Sequence, residues 1–315
     1  MFGNSRLIYG TMGLGGGWDT EKVSVKAVDD AARAFEAALE IGIDFFDFAD
    51  IYQDGKSEAV FGEVLKQKPD LKNIIKIQTK AGIILPHKDG TGRFDFSAKH
   101  LINSVVDSLK RLNIKTIDSL LLHRPDPLME GSELKEAFDY LFENGLIKKM
   151  GVSNMNQYQI EYIEKVTRRK IKTNQLEISL SKLDWLDGTI GVNNDNGFRS
   201  TFTPGLMEYM MLNGIEIQSW SPLSRGIFSG RELASDVDET ILETKEYVYR
   251  LAEEKERTPE CIVLAFILKH PAKIRPVIGT SNPDRIRQLK NAENTELTRK
   301  EWYTLYTLSR GLRMP

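Results

Sequence analysis

Three polar residues terminate apolar runs in the first part of this chain, and a fourth follows close behind one of them. Asp47 follows Ile43 to Phe46 in IDFFDFAD, Lys80 ends IIKIQT, and His123 ends DSLLL. Tyr52 lies five residues beyond Asp47, in IYQDGKSE. A carboxylate, a phenol, an ammonium and an imidazole gathered in one place suit proton transfer to or from a carbonyl or an alcohol. A phenol of pKa ~10 is a poor acid at neutral pH, but an adjacent lysine cation favours its ionised form and lowers that value. Tyr52 is therefore expected as general acid, with Asp47 keeping Lys80 charged and oriented and His123 positioning a carbonyl oxygen. Singly each residue has an ordinary structural reading: a turn cap, a strand end, a loop anchor, a rim histidine. Their combination at the same end of successive strands is what points to a site.

The elements that must bring these residues together can be read from periodicity. Short apolar runs begin at Leu7, Ile43, Asn73, Thr116, Ile147, Lys172, Gly214 and Arg275, eight strand candidates in all. Amphipathic stretches lie between them, beginning at Val28 and Ser57 and spanning Ala98 to Leu112, Glu133 to Asn144 and Asn156 to Arg168. Strands alternating with helices imply right-handed crossovers and a parallel sheet, and eight of them imply closure. The expectation is a (β/α)8 TIM barrel, one domain over residues 1–315, with function at the carboxyl ends of its strands. The stretch from Leu183 to Pro204, containing GTIGVNNDNG, reads as a loop, and the segment LTRKEWYTLYTLSRG reads as a terminal helix.

Composition narrows the function classes. The 315 residues are 41% hydrophobic and 28% charged, ordinary for a chain with a large core. A net charge of −2, from 43 basic and 45 acidic residues, gives no excess positive charge for a nucleic-acid backbone. Cys261 is the single cysteine, the start MFGNSRLIYG has no signal-peptide pattern, and no apolar run approaches a membrane span, so a cytoplasmic protein without a membrane partner is expected. His87, His100, His123 and His270 show no metal-ligand spacing, and no metal is expected.

The order Asp, Tyr, Lys, His in FDFADIY, IQTK and LLLHRPDP resembles the tetrad of the aldo-keto reductase family. Further similar segments are GTMGLGG at Gly10, GVSN at Gly151, NQLEIS at Asn174, WSPLSRG at Trp220 and GTSNPDRI at Gly279, so the likeness covers nearly the whole chain. HRPDPLM resembles a bacterial-type subgroup acting on small aldehydes and ketones. The resemblance implies an NADP(H)-dependent oxidoreductase in which hydride comes from the nicotinamide and the proton from Tyr52. It implies that Ser153, Asn154 and Gln175 hydrogen-bond the carboxamide, that Trp220 stacks on the nicotinamide ring, and that Gly10, Thr11, Met12 and Asp47 border the same pocket. Ser221, Pro222 and Leu223 match the pyrophosphate loop, with Arg225 and Arg231 in reach of it; Arg285, with Gly279, Thr280, Ser281 and Gln288, matches the adenosine 2′-phosphate region. Gly279 stands where many members have Lys and Leu289 where they have Asn, which thins the contacts that favour NADP over NAD. Gln53 stands where Gly commonly follows the tyrosine.

Other readings fare worse. GTMGLGGGW lacks the third glycine of a dinucleotide-binding fingerprint, because Trp18 and Thr20 occupy the available positions. Tyr52 and Lys56 have the YxxxK spacing of short-chain dehydrogenases, but Asp54 and Gly55 favour a turn between them. Lys80 as an aldolase-type Schiff base conflicts with a carboxylate that keeps it protonated. A nonenzymatic NADP(H)-binding regulator, as in potassium-channel β-subunits, remains the alternative on the same scaffold. Met12, Trp18, Ile84, Trp185 and Phe202 are candidates for either a substrate wall or core packing. The expected partner is a small carbonyl substrate, and the expected state a monomer or weak homo-oligomer.

Overall fold

A computed structural model of the chain describes residues 5–19, 21–190, 201–234 and 236–314. Its strands are β1 (Ile8–Gly10), β2 (Phe45–Asp47), β3 (Lys76–Ala81), β4 (Ile83–Ile84), β5 (Arg93–Phe94), β6 (Ser119–Leu122), β7 (Met150–Ser153), β8 (Ile171–Glu177), β9 (Glu216–Trp220) and β10 (Arg275–Ile278). Eight of them pair in the closed order β1-β10-β9-β8-β7-β6-β3-β2, with helices between successive strands. This is the (β/α)8 barrel that the strand count predicts. β4 and β5 form a separate antiparallel hairpin, Ile83 opposite Phe94 and Ile84 opposite Arg93.

The chain forms two compact units, one of residues through Gln175 together with Gly279–Ile286, the other of Leu176–Ile278 together with Arg287–Pro315. In the first, alternation along each strand separates chemistry from core. Phe46 points to the helix layer and meets Phe35 edge-on at 5.3 Å and Phe61 at 5.6 Å, while its neighbour Asp47 turns the other way. Phe35 lies on the helix Val25–Glu40, which starts before the predicted Val28 because Ser24 accepts a hydrogen bond from Ala27 N at 3.2 Å and caps it. The helix Ala98–Leu112 matches its sequence reading; Ser97 caps its start and Asn113, at φ 54°, ends it.

In the second unit β9 and β10 run parallel, with Arg275 opposite Gln218. The helix Pro259–Leu268 is buried on all sides from Cys261 to Leu268, and Phe266 stacks on Trp302 of the terminal helix Arg299–Arg310 at 4.8 Å. Trp185 belongs to this core: it is 1% exposed and meets His270 edge-on at 5.0 Å. The loop expected from Leu183 to Pro204 begins instead with the helix Asp184–Ile190, which takes in the first residues of GTIGVNNDNG; its positions 191–200 lie outside the described residues. Among the described residues no helix is long and apolar enough to cross a membrane.

Candidate active site

Asp47 closes β2 and is held from three sides. Its Oδ1 accepts from Gln78 Nε2 at 2.6 Å and from Gln175 Nε2 at 3.1 Å, and its Oδ2 accepts from Lys80 Nζ at 2.6 Å. Gln78 and Lys80 are two apart on β3, so both side chains point into the barrel; Thr79 between them points outward and donates to Glu58 Oε1 at 2.6 Å. Lys80 Nζ also donates to Phe48 O and to Tyr52 Oη, each at 3.0 Å. All three protons of the ammonium are thus engaged, which fixes its orientation. Tyr52 Oη accepts from Lys80, leaving the phenolic proton available to another acceptor.

Tyr52 stands at the start of a 3-10 turn, Tyr52–Gly55, its amide bonded to Ala49 O at 3.0 Å. His123 follows β6, with its amide donating to Ala81 O at 2.9 Å. The rings of Tyr52 and His123 meet edge-on, centroids 5.9 Å apart. The loop after His123 is ordered by buried Asp126, which accepts from Phe96 N at 2.9 Å and Leu128 N at 2.8 Å. The four predicted side chains therefore assemble at the carboxyl ends of β2, β3 and β6.

One expectation needs correcting. Burial pushes the Tyr52 phenol above its ordinary value; Lys80 pulls it down, but desolvation wins, so in the free chain the net shift is opposite to the one predicted. Burial also opposes the charge on Lys80, yet Asp47 and Tyr52 more than offset that and hold the ammonium above its usual value. Burial, helped by Lys80 and Arg124, lowers His123 well below 6.5 and keeps it neutral. Its Nδ1 is buried with no hydrogen-bond partner among the described residues. The set is thus a protonated phenol, a fixed cation and a neutral imidazole, able to stabilise oxygen charge and move one proton.

Ser153 and Asn154 end β7 beside Gln175 of β8. Ser153 Oγ donates to Gln175 O at 2.8 Å, Asn154 N to the same oxygen at 3.0 Å, and Asn154 Nδ2 to Ser153 Oγ at 2.8 Å. Gln175 links this group to Asp47. Thr11 follows Gly10 of β1, and both its amide and its Oγ1 reach Asp47 O at 3.0 Å; Met12 beside it is largely exposed. Gly279, Thr280, Ser281 and Arg285 form the segment after β10 in the same unit, where Thr280 O accepts from Tyr9 Oη at 3.0 Å and the exposed Arg285 has no acidic partner among the described residues.

In the second unit Trp220 ends β9 and Ser221, Pro222 and Leu223 turn sharply away. Ser221, Ser224 and Arg225 all have positive φ, near 50°, and Ser224 N returns to Ser221 O at 3.0 Å. Successive amides in such a turn form a concavity suited to an anion. Arg225 and Arg231 are exposed there, without acidic partners among the described residues, and Gln288 is exposed in its own segment. The turn and its two arginines have the chemistry to hold the oxygens of a phosphate group. Lys56, the partner of Tyr52 in the YxxxK reading, instead binds Asp19 at 2.5 Å.

Gln78 is the functional residue that sequence reasoning passed over. The available signal was a polar side chain inside an apolar strand, two positions before Lys80 and so on the same face. A cavity of about 760 Å³ opens near Lys76 and Asp118, at the amino ends of β3 and β6, the end of the barrel away from Asp47. Among the described residues no His, Cys, Asp and Glu group could hold a metal.

A closed eight-stranded barrel with a buried Asp-Lys-Tyr chain at its carboxyl rim defines a class of barrel oxidoreductase. The chain belongs to the aldo/keto reductase family, whose model matches residues 6–310, and is an NAD(P)H-dependent oxidoreductase. It is 34% identical to a 6-dehydroglucose reductase from Agrobacterium fabrum over 98% of this chain and 95% of that one. It is 32% identical to a protein of the same name from Novosphingobium aromaticivorans, over 91% and 88% of the two chains. A glycerol dehydrogenase from Gluconobacter oxydans shares the fold, with a TM-score of 0.79, 23% identity and coverage of 96% and 91%.

Proposed function

We propose that this protein reduces small aldehydes and ketones to alcohols with NADPH, reversibly, sugar-derived carbonyls among them. The observation that carries the reading is the continuous chain Asp47 Oδ2 to Lys80 Nζ to Tyr52 Oη, at 2.6 and 3.0 Å. Tyr52 gives its proton to the carbonyl oxygen, and Lys80 stabilises the phenolate left behind, held in turn by Asp47. Neutral His123 donates a ring N–H to the same oxygen and orients the carbonyl. When bound, the nicotinamide cofactor supplies the hydride to the carbonyl carbon and accepts it in the reverse direction.

Ser153, Asn154 and Gln175 would hold the carboxamide, Trp220 the nicotinamide face, and Gly10, Thr11 and Met12 the pocket edge. Ser221, Pro222, Leu223, Arg225 and Arg231 would take the pyrophosphate; Gly279, Thr280, Ser281, Arg285 and Gln288 would take the adenosine 2′-phosphate end. On this reading the two units act as one domain, and the HRPDPLM segment marks a bacterial-type member of the family. The names of the relatives support a sugar-derived carbonyl as substrate. We further propose a cytoplasmic monomer or weak homo-oligomer, with neither nucleic acid nor membrane as partner.

The test is titration of tryptophan fluorescence with NADPH and with NADH, followed by aldehyde and ketone turnover read from nicotinamide absorbance. NADPH should bind more tightly, and Tyr52→Phe should keep that binding while losing about 100-fold or more in turnover. Arg285→Ala should weaken NADPH far more than NADH. Binding without turnover by any carbonyl would favour a regulator instead, and binding of neither cofactor would overturn the reading.

A further inference from the structure

The turn that carries Tyr52 is built against the preference of its residues. Gln53 and Asp54 have φ of 48° and 59°, ahead of Gly55 at 86°. A left-handed L-residue costs roughly 1–2 kcal/mol that glycine would avoid. Such outliers persist where neighbouring interactions compensate for them. Gln53, buried, uses both ends of its amide on the loop that follows β1: Oε1 accepts from Gly17 N at 2.6 Å, and Nε2 donates to Met12 O at 3.0 Å. Asp54 faces the other way, and its Oδ1 accepts from Lys88 Nζ at 2.7 Å and pairs with His87 Nε2 at 3.2 Å, on the short helix Pro86–Asp89 between β4 and β5.

Two loops that border the site are therefore fastened to the residues immediately after Tyr52. The first presents Met12 and Trp18, 54% and 57% exposed, one at a residue Gln53 binds and the other next to one. Large apolar side chains left open at the rim of a polar site offer a face to the body of a substrate whose reacting end is held elsewhere.

We propose that Gln53 and Asp54 are positioning residues for substrate selection, clasping the loop 11–19 and the helix Pro86–Asp89 to the turn of Tyr52 so that carbonyl compounds with a long or ring-bearing body are favoured over short ones. The inference rests on the reductase reading. Gln53→Gly suits the observed backbone angle, so folding is not at risk. The variant should keep its thermal midpoint and its cofactor affinity.

The measurement is kcat and KM for propanal and for the C6 aldehyde of galactose, in the wild type, Gln53→Gly, Trp18→Ala and the double variant. For Gln53→Gly, KM for the sugar aldehyde should rise about tenfold or more, while kcat/KM for propanal stays within about twofold. Trp18→Ala should reproduce the loss of selectivity, and the double variant should add little to either, because both changes act through one loop. Equal weakening of both substrates, unchanged selectivity, or fully additive losses would overturn the clasp while leaving the reductase reading intact. If the wild type reduces neither aldehyde, the reductase reading fails and the clasp falls with it.

Discussion

Asp47 and Lys80 meet at 2.6 Å with side chains 3% and 1% exposed, the most deeply buried ion pair of the site. A buried pair adds little net stability, but breaking it strands a charge and costs about 3–5 kcal/mol. Lys80→Met should therefore lower the urea midpoint and abolish reduction together. Adding Asp47→Asn to Lys80→Met should recover much of the stability and none of the activity. A double variant as unstable as Lys80→Met alone would mean that the stranded charge is not the cause.

His123 titrates well below its usual 6.5 in the folded chain because of burial, Lys80 and Arg124. Between the folded and unfolded values the unfolded chain binds the extra proton, so this group's contribution is full above about 6.5 and is lost as pH falls. Urea midpoints from pH 8 to 5 should fall, with a shallower slope in His123→Asn. An identical slope in the variant would remove His123 as the source.

Asp50 pulls in the opposite direction. Burial and the charge of Glu58 push its carboxyl up to about 7, against the opposing effects of Ser104 and Arg111, and its Oδ1 is buried without a hydrogen-bond partner among the described residues. A raised carboxyl contributes stability that is full below 3.8 and lost as pH rises through about 7. Asp50→Asn should exceed the wild type in stability at pH 8, with the gap shrinking toward pH 5. A gap that is constant with pH would point to packing rather than to titration.

Gly62 sits within the helix Lys56–Gln67, where alanine would ordinarily gain about 1 kcal/mol of helix propensity. A methyl there would stand 1.9 Å from Arg111 O, a backbone atom at the end of the helix Ala98–Leu112. Overpacking of this kind costs about 1–3 kcal/mol or more and outweighs the propensity. Gly62→Ala should lower the thermal midpoint, and an unchanged midpoint would mean that the two helices can part without cost.

Most of the barrel strands were legible as apolar runs bounded by polar residues, and the helix Ala98–Leu112 because its amphipathic period carries its own cap in Ser97. Asp47, Lys80 and His123 were legible as polar ends of those runs, and Tyr52 by its place close behind Asp47. The hairpin β4-β5 was not, since strands of two residues are too short to show a period. Trp185 could not be assigned to core or rim until its neighbours His270 and Phe266 were known. The direction of the Tyr52 shift was missed for a different reason. A charged neighbour can be guessed from sequence, but the solvent lost on burial belongs to the folded chain alone.

The hydrogen bond from Gln175 to Asp47 spans 128 positions. A growing polypeptide has therefore made Asp47, Tyr52, Lys80 and His123 long before it can secure them. Until β8 emerges, the carboxylate lacks one of its donors, and early contacts can order the neighbouring strands without finishing the acid centre. Catalytic competence should then lag behind secondary structure during refolding, arriving only with the contact that Gln175 brings to Asp47.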